Sequence, residues 1–170
     1  MTETIAQMQG KIAVVTGGTQ GLGARIAALF AERGAAGIVI CGRNRAKGEA
    51  KAEEIARVSG AKVIYQQADL ENVEDCRAVI AVADRQFGRI DALVNSAGHG
   101  PRAPLLDITD EQWRTGMDVY LMNVIRPTRL VAPIMAAQGG GAIVNISTAW
   151  AFEPSAMFPT SAVFRAGLAA

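Results

Sequence analysis

The chain has 170 residues, a formal net charge of +1 and 50% hydrophobic residues, few of them aromatic. This length suits a single domain over residues 1–170, and the near-neutral charge without a basic stripe argues against a nucleic-acid partner. Residues 1–9 are polar and carry an acid, unlike a signal peptide, and no apolar run approaches the ~20 residues needed to cross a bilayer. We therefore expect a cytoplasmic protein without a membrane partner.

Strand-like and helix-like segments alternate along the chain. In chain order they are strand 11–16, helix 21–33, strand 37–41, helix 45–59, strand 61–67, helix 73–87, strand 90–95, a long helical region 110–138, strand 142–147 and a helix from 161. Asn72 is expected to start the third helix and Asp110 to cap the long region. Pro127 and Pro133 remove hydrogen bonds inside that region, so we expect a kink or two shorter helices there.

This alternation predicts an α/β fold, a doubly wound Rossmann-type parallel sheet with helices on both faces. The last segment, from Phe164 to Ala170, is apolar and carries no C-cap signal. We therefore expect that the fold is truncated after the fifth strand and the start of the following helix, so that the domain lacks its C-terminal part, or that a partner covers this end.

The few cysteines and the single histidine argue against a metal centre. His99 is the only histidine, so we expect no histidine–cysteine zinc site. Cys41 and Cys76 fall in a strand-like and a helix-like segment. We expect buried thiols there, with a disulfide as the alternative.

A glycine-rich turn joins the first strand to the first helix. The turn runs Thr16-Gly17-Gly18-Thr19-Gln20-Gly21-Leu22-Gly23. Glycines at this place let backbone amides approach a phosphate, with a helix N-terminus aimed at it. The pattern predicts a dinucleotide site formed by Gly17, Thr19, Gln20, Gly21, Leu22 and Gly23.

Three further motifs follow later strands, and together with the glycine turn they carry a family resemblance. They are Asp69-Leu70, Asn95-Ser96-Ala97-Gly98 and Val144-Asn145-Ile146-Ser147-Thr148. From about residue 11 to residue 168 the chain resembles the short-chain dehydrogenase/reductase family. The resemblance implies that Asp69 and Leu70 lie at the adenine, that Ala97 and Gly98 contact the cofactor, and that Asn95 bridges strand backbones beneath it. It also implies assembly as a homodimer or homotetramer.

The end of the second strand bears on the choice of cofactor. Dinucleotide enzymes that prefer NAD place an acid there for the ribose 2′-hydroxyl, whereas this chain has Gly42 followed by Arg43. An arginine can pair bidentately with a 2′-phosphate, so we predict NADP, with NAD as the less favoured cofactor. The alternative is that Arg43 is a solvated loop charge, with Arg45 and Lys47 as equal candidates.

The resemblance also implies a proton-transfer group, and this chain departs from the family at each of its positions. Family members use a tyrosine, a lysine four residues later, an earlier serine and an asparagine in the long helix. The corresponding positions hold Ser161, Arg165, Thr148 and Tyr120. A serine hydroxyl is far less acidic than a phenol, and arginine stays charged at any working pH.

We therefore predict a rearranged catalytic set of Thr148, Ser161, Arg165 and Tyr120. The hypothesis is that Tyr120 supplies the phenol and that Arg165 is the nearby cation that favours its phenolate form. The alternative is that Tyr120 fills the space left by the small Ser161. His99 is a second candidate for proton transfer, or a surface residue.

The expected substrate is a small carbonyl compound or alcohol in a pocket lined by residues 99–104 and 150–158. Trp150, Phe152, Met157 and Phe158 suggest an apolar substrate, although they could equally pack against a further segment. Three functions remain open: an NADP-dependent oxidoreductase, a non-catalytic NADP-binding sensor or partner subunit, and an inactive fragment.

Overall fold

The computed structural model describes residues 7–170, and its five strands form one parallel sheet. The strands are β1 Ile12–Thr16, β2 Gly37–Gly42, β3 Lys62–Gln67, β4 Ala92–Asn95 and β5 Ala142–Asn145. Their order across the sheet is β3-β2-β1-β4-β5, with every pairing parallel. This confirms the doubly wound fold predicted from the alternation of segments.

Residues 7–170 include six helices, four of which pack on the sheet. The six are α1 Gly21–Glu32, α2 Arg45–Ser59, α3 Val73–Phe87, α4 Asp110–Met117, α5 Asn123–Ala137 and α6 Pro159–Ala169. Alternate residues of β1 show how both faces are buried: Val14 joins the core beneath α3 and α5, and Val15 joins the core beneath α1 and α2. Strands buried on both faces explain the continuous apolar runs in the sequence.

The long helical region is divided, as predicted, although not at its prolines. A π-helical turn, Asp118–Met122, separates α4 from α5, and both prolines lie inside α5. The prediction that Asp110 caps the region is wrong by one residue. Thr109 forms a capping box, in which its Oγ1 accepts from the Gln112 amide (3.2 Å) and Gln112 Oε1 accepts from the Thr109 amide (2.9 Å).

Other boundaries shift by a few residues. The last helix begins at Pro159 instead of Ser161, because proline has no amide hydrogen to satisfy in a first helical turn. Asn72 does start α3, with its Oδ1 accepting from the Glu74 amide (2.8 Å). Both cysteines are free and buried, which confirms that expectation.

Part of the apolar run 130–135 of α5 lies inside the molecule. In the apolar run of α5, Val131 and Met135 are buried in the core between α3, α5 and the sheet. Across residues 7–170, no helix combines the length and the apolar character that a membrane span requires. The prediction for residues 1–9 concerns a segment whose first six residues lie outside the described range.

Candidate functional site

A cavity of about 490 Å³ opens at the carboxyl edge of the sheet. Because all five strands are parallel, the loops that follow them meet at this edge. The strand order reverses between β1 and β4, and such a crevice is the usual ligand site of doubly wound sheets. Every predicted catalytic or cofactor-binding residue except Asn95 lines this cavity.

The glycine turn forms one wall of the cavity. Gly17 has φ +65°, and a Cβ there would lie 2.9 Å from the Cα of Ala97. Gly21 has φ +55° and open space on its Cβ side. At the start of α1, the Ala24 amide donates to the Gln20 carbonyl (3.2 Å), and the Gln20 side chain does not cap the helix. The helix amides before Ala24 can therefore bind a ligand. This uncapped cradle fits a diphosphate.

Arg43 is the basic residue that β2 delivers to the cavity. It lines the cavity, whereas Arg45 and Lys47 do not. Arg45 instead pairs with Glu49 along α2 (3.4 Å). Arg43 Nη1 lies 3.9 Å from Glu71 Oε1. The structure therefore separates Arg43 from the two alternatives that the sequence left equal.

Asp69 both shapes a turn and faces the cavity. Its Oδ1 accepts from the Glu71 amide (3.2 Å), and its own amide donates to Asp75 Oδ2 (2.7 Å). Burial, and then the charge of Asp69, raises the pKa of the neighbouring Glu71. This geometry is compatible with a cofactor contact by Asp69 and also with a structural role in guiding the chain into α3.

Asn95 lies behind the cavity, not on its wall. Its Nδ2 donates to Asn145 Oδ1 (2.9 Å) and to Thr128 Oγ1 (3.3 Å), and its Oδ1 has no partner within residues 7–170. It thus joins side chains of β5 and α5, whereas we had predicted a bridge between strand backbones. Its effect on the site is to hold β4 and β5 together.

Tyr120 and Arg165 meet inside the cavity. Tyr120 is buried, and its phenol oxygen accepts from the Gly100 amide (2.9 Å). The guanidinium carbon of Arg165 lies 5.5 Å from the centre of the Tyr120 ring, and Arg165 Nη1 donates to the Ile146 carbonyl. Burial lowers the pKa of Arg165, and the nearby Tyr120 opposes that shift.

The two predicted hydroxyl residues lie on the same part of the wall. Thr148 Oγ1 accepts from the Trp150 amide (3.4 Å) at the start of a 3₁₀ turn, Ala149–Ala151. Ser161 is buried at the start of α6, and its hydroxyl has no hydrogen-bond partner in the described part of the chain. Both side chains keep a hydroxyl proton free to donate into the cavity.

Sequence reasoning missed Asn123. It lines the cavity, its Nδ2 donates to the Ala97 carbonyl (2.8 Å), and its buried Oδ1 has no partner within residues 7–170. The available signal was a polar amide among apolar helical residues, three positions after Tyr120. The π-helical turn between α4 and α5 lies directly before it.

The predicted aromatic lining is only half correct. Trp150 and Phe158 line the cavity and stack on each other, with ring centres 4.1 Å apart. Phe152 and Met157 are outside the lining and are 77% and 50% exposed, so the prediction that they form the pocket is wrong. His99 and Arg102 come from the loop after β4, and the Arg102 guanidinium lies 4.7 Å from the Phe158 ring centre.

Comparison with known proteins gives one consistent result. Residues 11–163 match the family model described as short chain dehydrogenase. An uncharacterized oxidoreductase of Methylorubrum extorquens is 36% identical over 160 residues, covering 94% of this chain and 62% of that protein. D-xylose 1-dehydrogenase of Caulobacter vibrioides is 37% identical over 146 residues, covering 84% of this chain and 56% of that protein.

Among solved structures, L-sorbose reductase from Gluconobacter frateurii superposes with a TM-score of 0.92. That enzyme was solved in complex with NADPH and L-sorbose, and its sequence is 32% identical. The match covers 96% of this chain and 62% of that chain. The present chain thus spans about 56–62% of the length of these three relatives.

Proposed function

Because the chain belongs to the short-chain dehydrogenase family, we propose that it is an NADP-preferring oxidoreductase that interconverts a carbonyl compound and an alcohol. The observation that supports this most directly is the cavity, which brings the glycine turn, Arg43 and Tyr120 to one edge of the sheet. Homo-oligomeric assembly and a cytoplasmic setting remain predictions.

The cofactor half of the site rests on three features of this chain. The glycine turn and the start of α1 offer amides to a diphosphate. Asp69 offers a carboxylate to an adenine amino group. Arg43 offers a guanidinium to a 2′-phosphate, and the uncharged Gly42 precedes it where an acid would repel that phosphate. The nicotinamide ring, when bound, supplies or accepts the hydride.

The proton half of the site rests on Tyr120. Its phenol oxygen uses a lone pair to accept from the Gly100 amide, so its own O–H is free to donate to a substrate oxygen. The Arg165 guanidinium faces the ring, with its carbon 5.5 Å from the ring centre, and adds a positive charge to this part of the site. Thr148 and Ser161 can orient the substrate oxygen through their hydroxyls.

Replacing Tyr120 by phenylalanine tests this assignment. We expect Y120F to bind NADPH normally and to lose about 10²- to 10⁴-fold in turnover, the usual contribution of a general acid. Cofactor binding is measured by fluorescence titration with NADPH and NADH, and turnover by NADPH consumption with a panel of ketones and keto sugars. Tyr65, the only other tyrosine, lies outside the cavity lining, so Y65F is the matched control and should retain turnover.

The second function that a specific observation favours is a non-catalytic NADP-binding protein. Ser161 and Arg165 stand where the family places its tyrosine and lysine. Tight NADPH binding without turnover on any substrate would favour this function, and unchanged turnover in Y120F would exclude Tyr120 as the proton donor. Failure to bind either cofactor would contradict both functions.

A further inference from the structure

The two ends of the cavity differ in charge, because one holds carboxylates beside Arg43 and the other holds only cations. The sheet order places the loop after β3 at one edge and β5 with α6 at the other. Among residues 7–170, the carboxylates in the cavity lining are Asp69 and Glu71, and both follow β3. We call the opposite part the α6 end, and define it by six lining residues: Arg102, Thr148, Trp150, Phe158, Ser161 and Arg165.

Arg165 is a buried cation without an acidic partner. Its residue exposure is 7%, and no carboxylate within residues 7–170 lies in ion-pair range of it. Its guanidinium donates to the Ile146 carbonyl, faces the Tyr120 ring and packs against Gly98. An uncompensated buried charge is costly, whereas an anion bound beside it would be strongly favoured. The remaining guanidinium N–H groups have the fork geometry that suits an oxyanion.

Neighbouring groups at the α6 end point to the same ligand chemistry. Arg102 adds a second positive charge, held over the Phe158 ring at 4.7 Å. Thr148 and Ser161 each keep a hydroxyl proton free, and hydroxyl donors complement carboxylate oxygens. Electropositive walls of this kind also raise the encounter rate of anions.

We propose that the α6 end binds the carboxylate of the substrate on Arg165, so that the substrate class is short oxo acids and the corresponding hydroxy acids. This inference rests on the proposed function. In the reduction, the ketone carbon accepts a hydride from NADPH and the ketone oxygen accepts a proton from Tyr120. The products are the hydroxy acid and NADP⁺, and the carboxylate is unchanged.

The position of Tyr120 limits the size of the proposed substrate. The Arg165 guanidinium carbon lies 5.5 Å from the Tyr120 ring centre, so a carbonyl at the phenol and a carboxylate at the guanidinium belong to one small molecule. The stacked pair of Trp150 and Phe158 supplies an apolar wall for its short carbon chain. The proposed substrate therefore differs from the apolar one expected from the sequence.

The test measures carboxylate binding without cofactor, through Trp150 fluorescence. A W113F background leaves Trp150 as the only tryptophan. Pyruvate is the anionic probe, and pyruvamide, which has nearly the same shape, is the neutral one. We expect pyruvate to bind at least tenfold more tightly than pyruvamide, and R165Q to weaken pyruvate binding at least tenfold.

Three further variants in the W113F background keep the result interpretable. R165K should recover part of the affinity because it keeps the charge but loses the fork. R102Q changes an exposed residue, so it should fold and should weaken pyruvate binding by a smaller factor. Arg114 lies outside the cavity and pairs with Glu111, so R114Q should bind pyruvate as the parent does.

Several outcomes would overturn the proposal. One is equal binding of pyruvate and pyruvamide, and another is unchanged pyruvate binding in folded R165Q and R102Q. A third is full displacement of pyruvate by NADPH, which would assign Arg165 to the phosphates of the cofactor. Pyruvate binding by a protein that neither binds nor oxidises NADPH would support the carboxylate site while contradicting the proposed function.

Discussion

We predict that Arg43 determines the preference for NADP(H) over NAD(H). A guanidinium–phosphate contact contributes about 1.5–3 kcal/mol, or about ten- to 100-fold in affinity. We expect R43A to weaken NADPH binding by this factor and NADH binding much less, as measured by fluorescence titration of both cofactors. R45A is the control, because Arg45 pairs with Glu49 away from the cavity. An equal loss for both cofactors would mean that Arg43 contacts only the part they share.

At the level of single residues, the sequence predicted what lines the cavity better than what each side chain does there. Loops after parallel strands must meet at one edge, so Gly17, Asp69 and Thr148 were predictable from their positions alone. The Asn123 Oδ1, unpaired within residues 7–170, and the exposure of Phe152 depend on three-dimensional packing, which no local pattern encodes.

Between secondary-structure elements, the carboxylate of Asp91 ties the start of β1 to the segment before β4. It accepts from the Ile12 amide (2.9 Å) and from Arg89 (2.6 and 3.0 Å), and Lys11 lies 3.5 Å away. Burial raises the pKa of Asp91. The hydrogen bonds from Arg89 and Ile12 and the positive charges of Arg89 and Lys11 lower this pKa, and together they outweigh the effect of burial. Its net pKa in the folded state is therefore below the usual value of 3.8.

Replacing Asp91 should accordingly destabilise the protein in a pH-dependent way. A depressed pKa contributes stability that is complete above the unfolded-state pKa and is lost as the pH falls through the folded-state value. We expect D91N to lower the free energy of unfolding by about 1.5–3 kcal/mol at pH 7, and the difference from the parent to shrink below about pH 4. Urea unfolding followed by circular dichroism between pH 3 and 7 measures this. D84N, at an exposed site on α3, is the control, and a pH-independent difference for D91N would refute the ion-pair explanation.

The elements themselves were predictable wherever a local signal marks their ends. Asn72 and Gly88 bound α3 as cap residues, and α2 ends at the left-handed Gly60. The division between α4 and α5 had no such signal, because the residues of the π-helical turn are ordinary helix formers. Tyr120 lies in this turn and Asn123 directly follows it. Their hydrogen bonds to Gly100 and Ala97, in the loop after β4, therefore explain where the helix divides.

For the molecule as a whole, the two buried cysteines report on opening of the core around the cavity. Cys41 and Cys76 are both fully buried, and burial raises their pKa values to about 12 and about 11. Cys41 lies in β2 and lines the cavity, while Cys76 lies in α3 with its thiol donating to the Leu70 carbonyl (3.5 Å). Because the thiolate is the reactive form, neither thiol should react near pH 8 unless the fold opens.

A disulfide reagent such as 5,5′-dithiobis(2-nitrobenzoic acid) should therefore label both thiols rapidly in guanidinium and very slowly in buffer. A ligand that binds only the folded state, present at 100 times its Kd, stabilises that state by about 2.7 kcal/mol. If labelling requires global opening of the fold, NADPH at 100 times its Kd should therefore slow labelling by about 100-fold. The rate is followed by absorbance of the released thiolate, and C76S isolates Cys41. Rapid labelling of native C76S, at a rate that NADPH leaves unchanged, would contradict both the burial of Cys41 and its place beside the cofactor cavity.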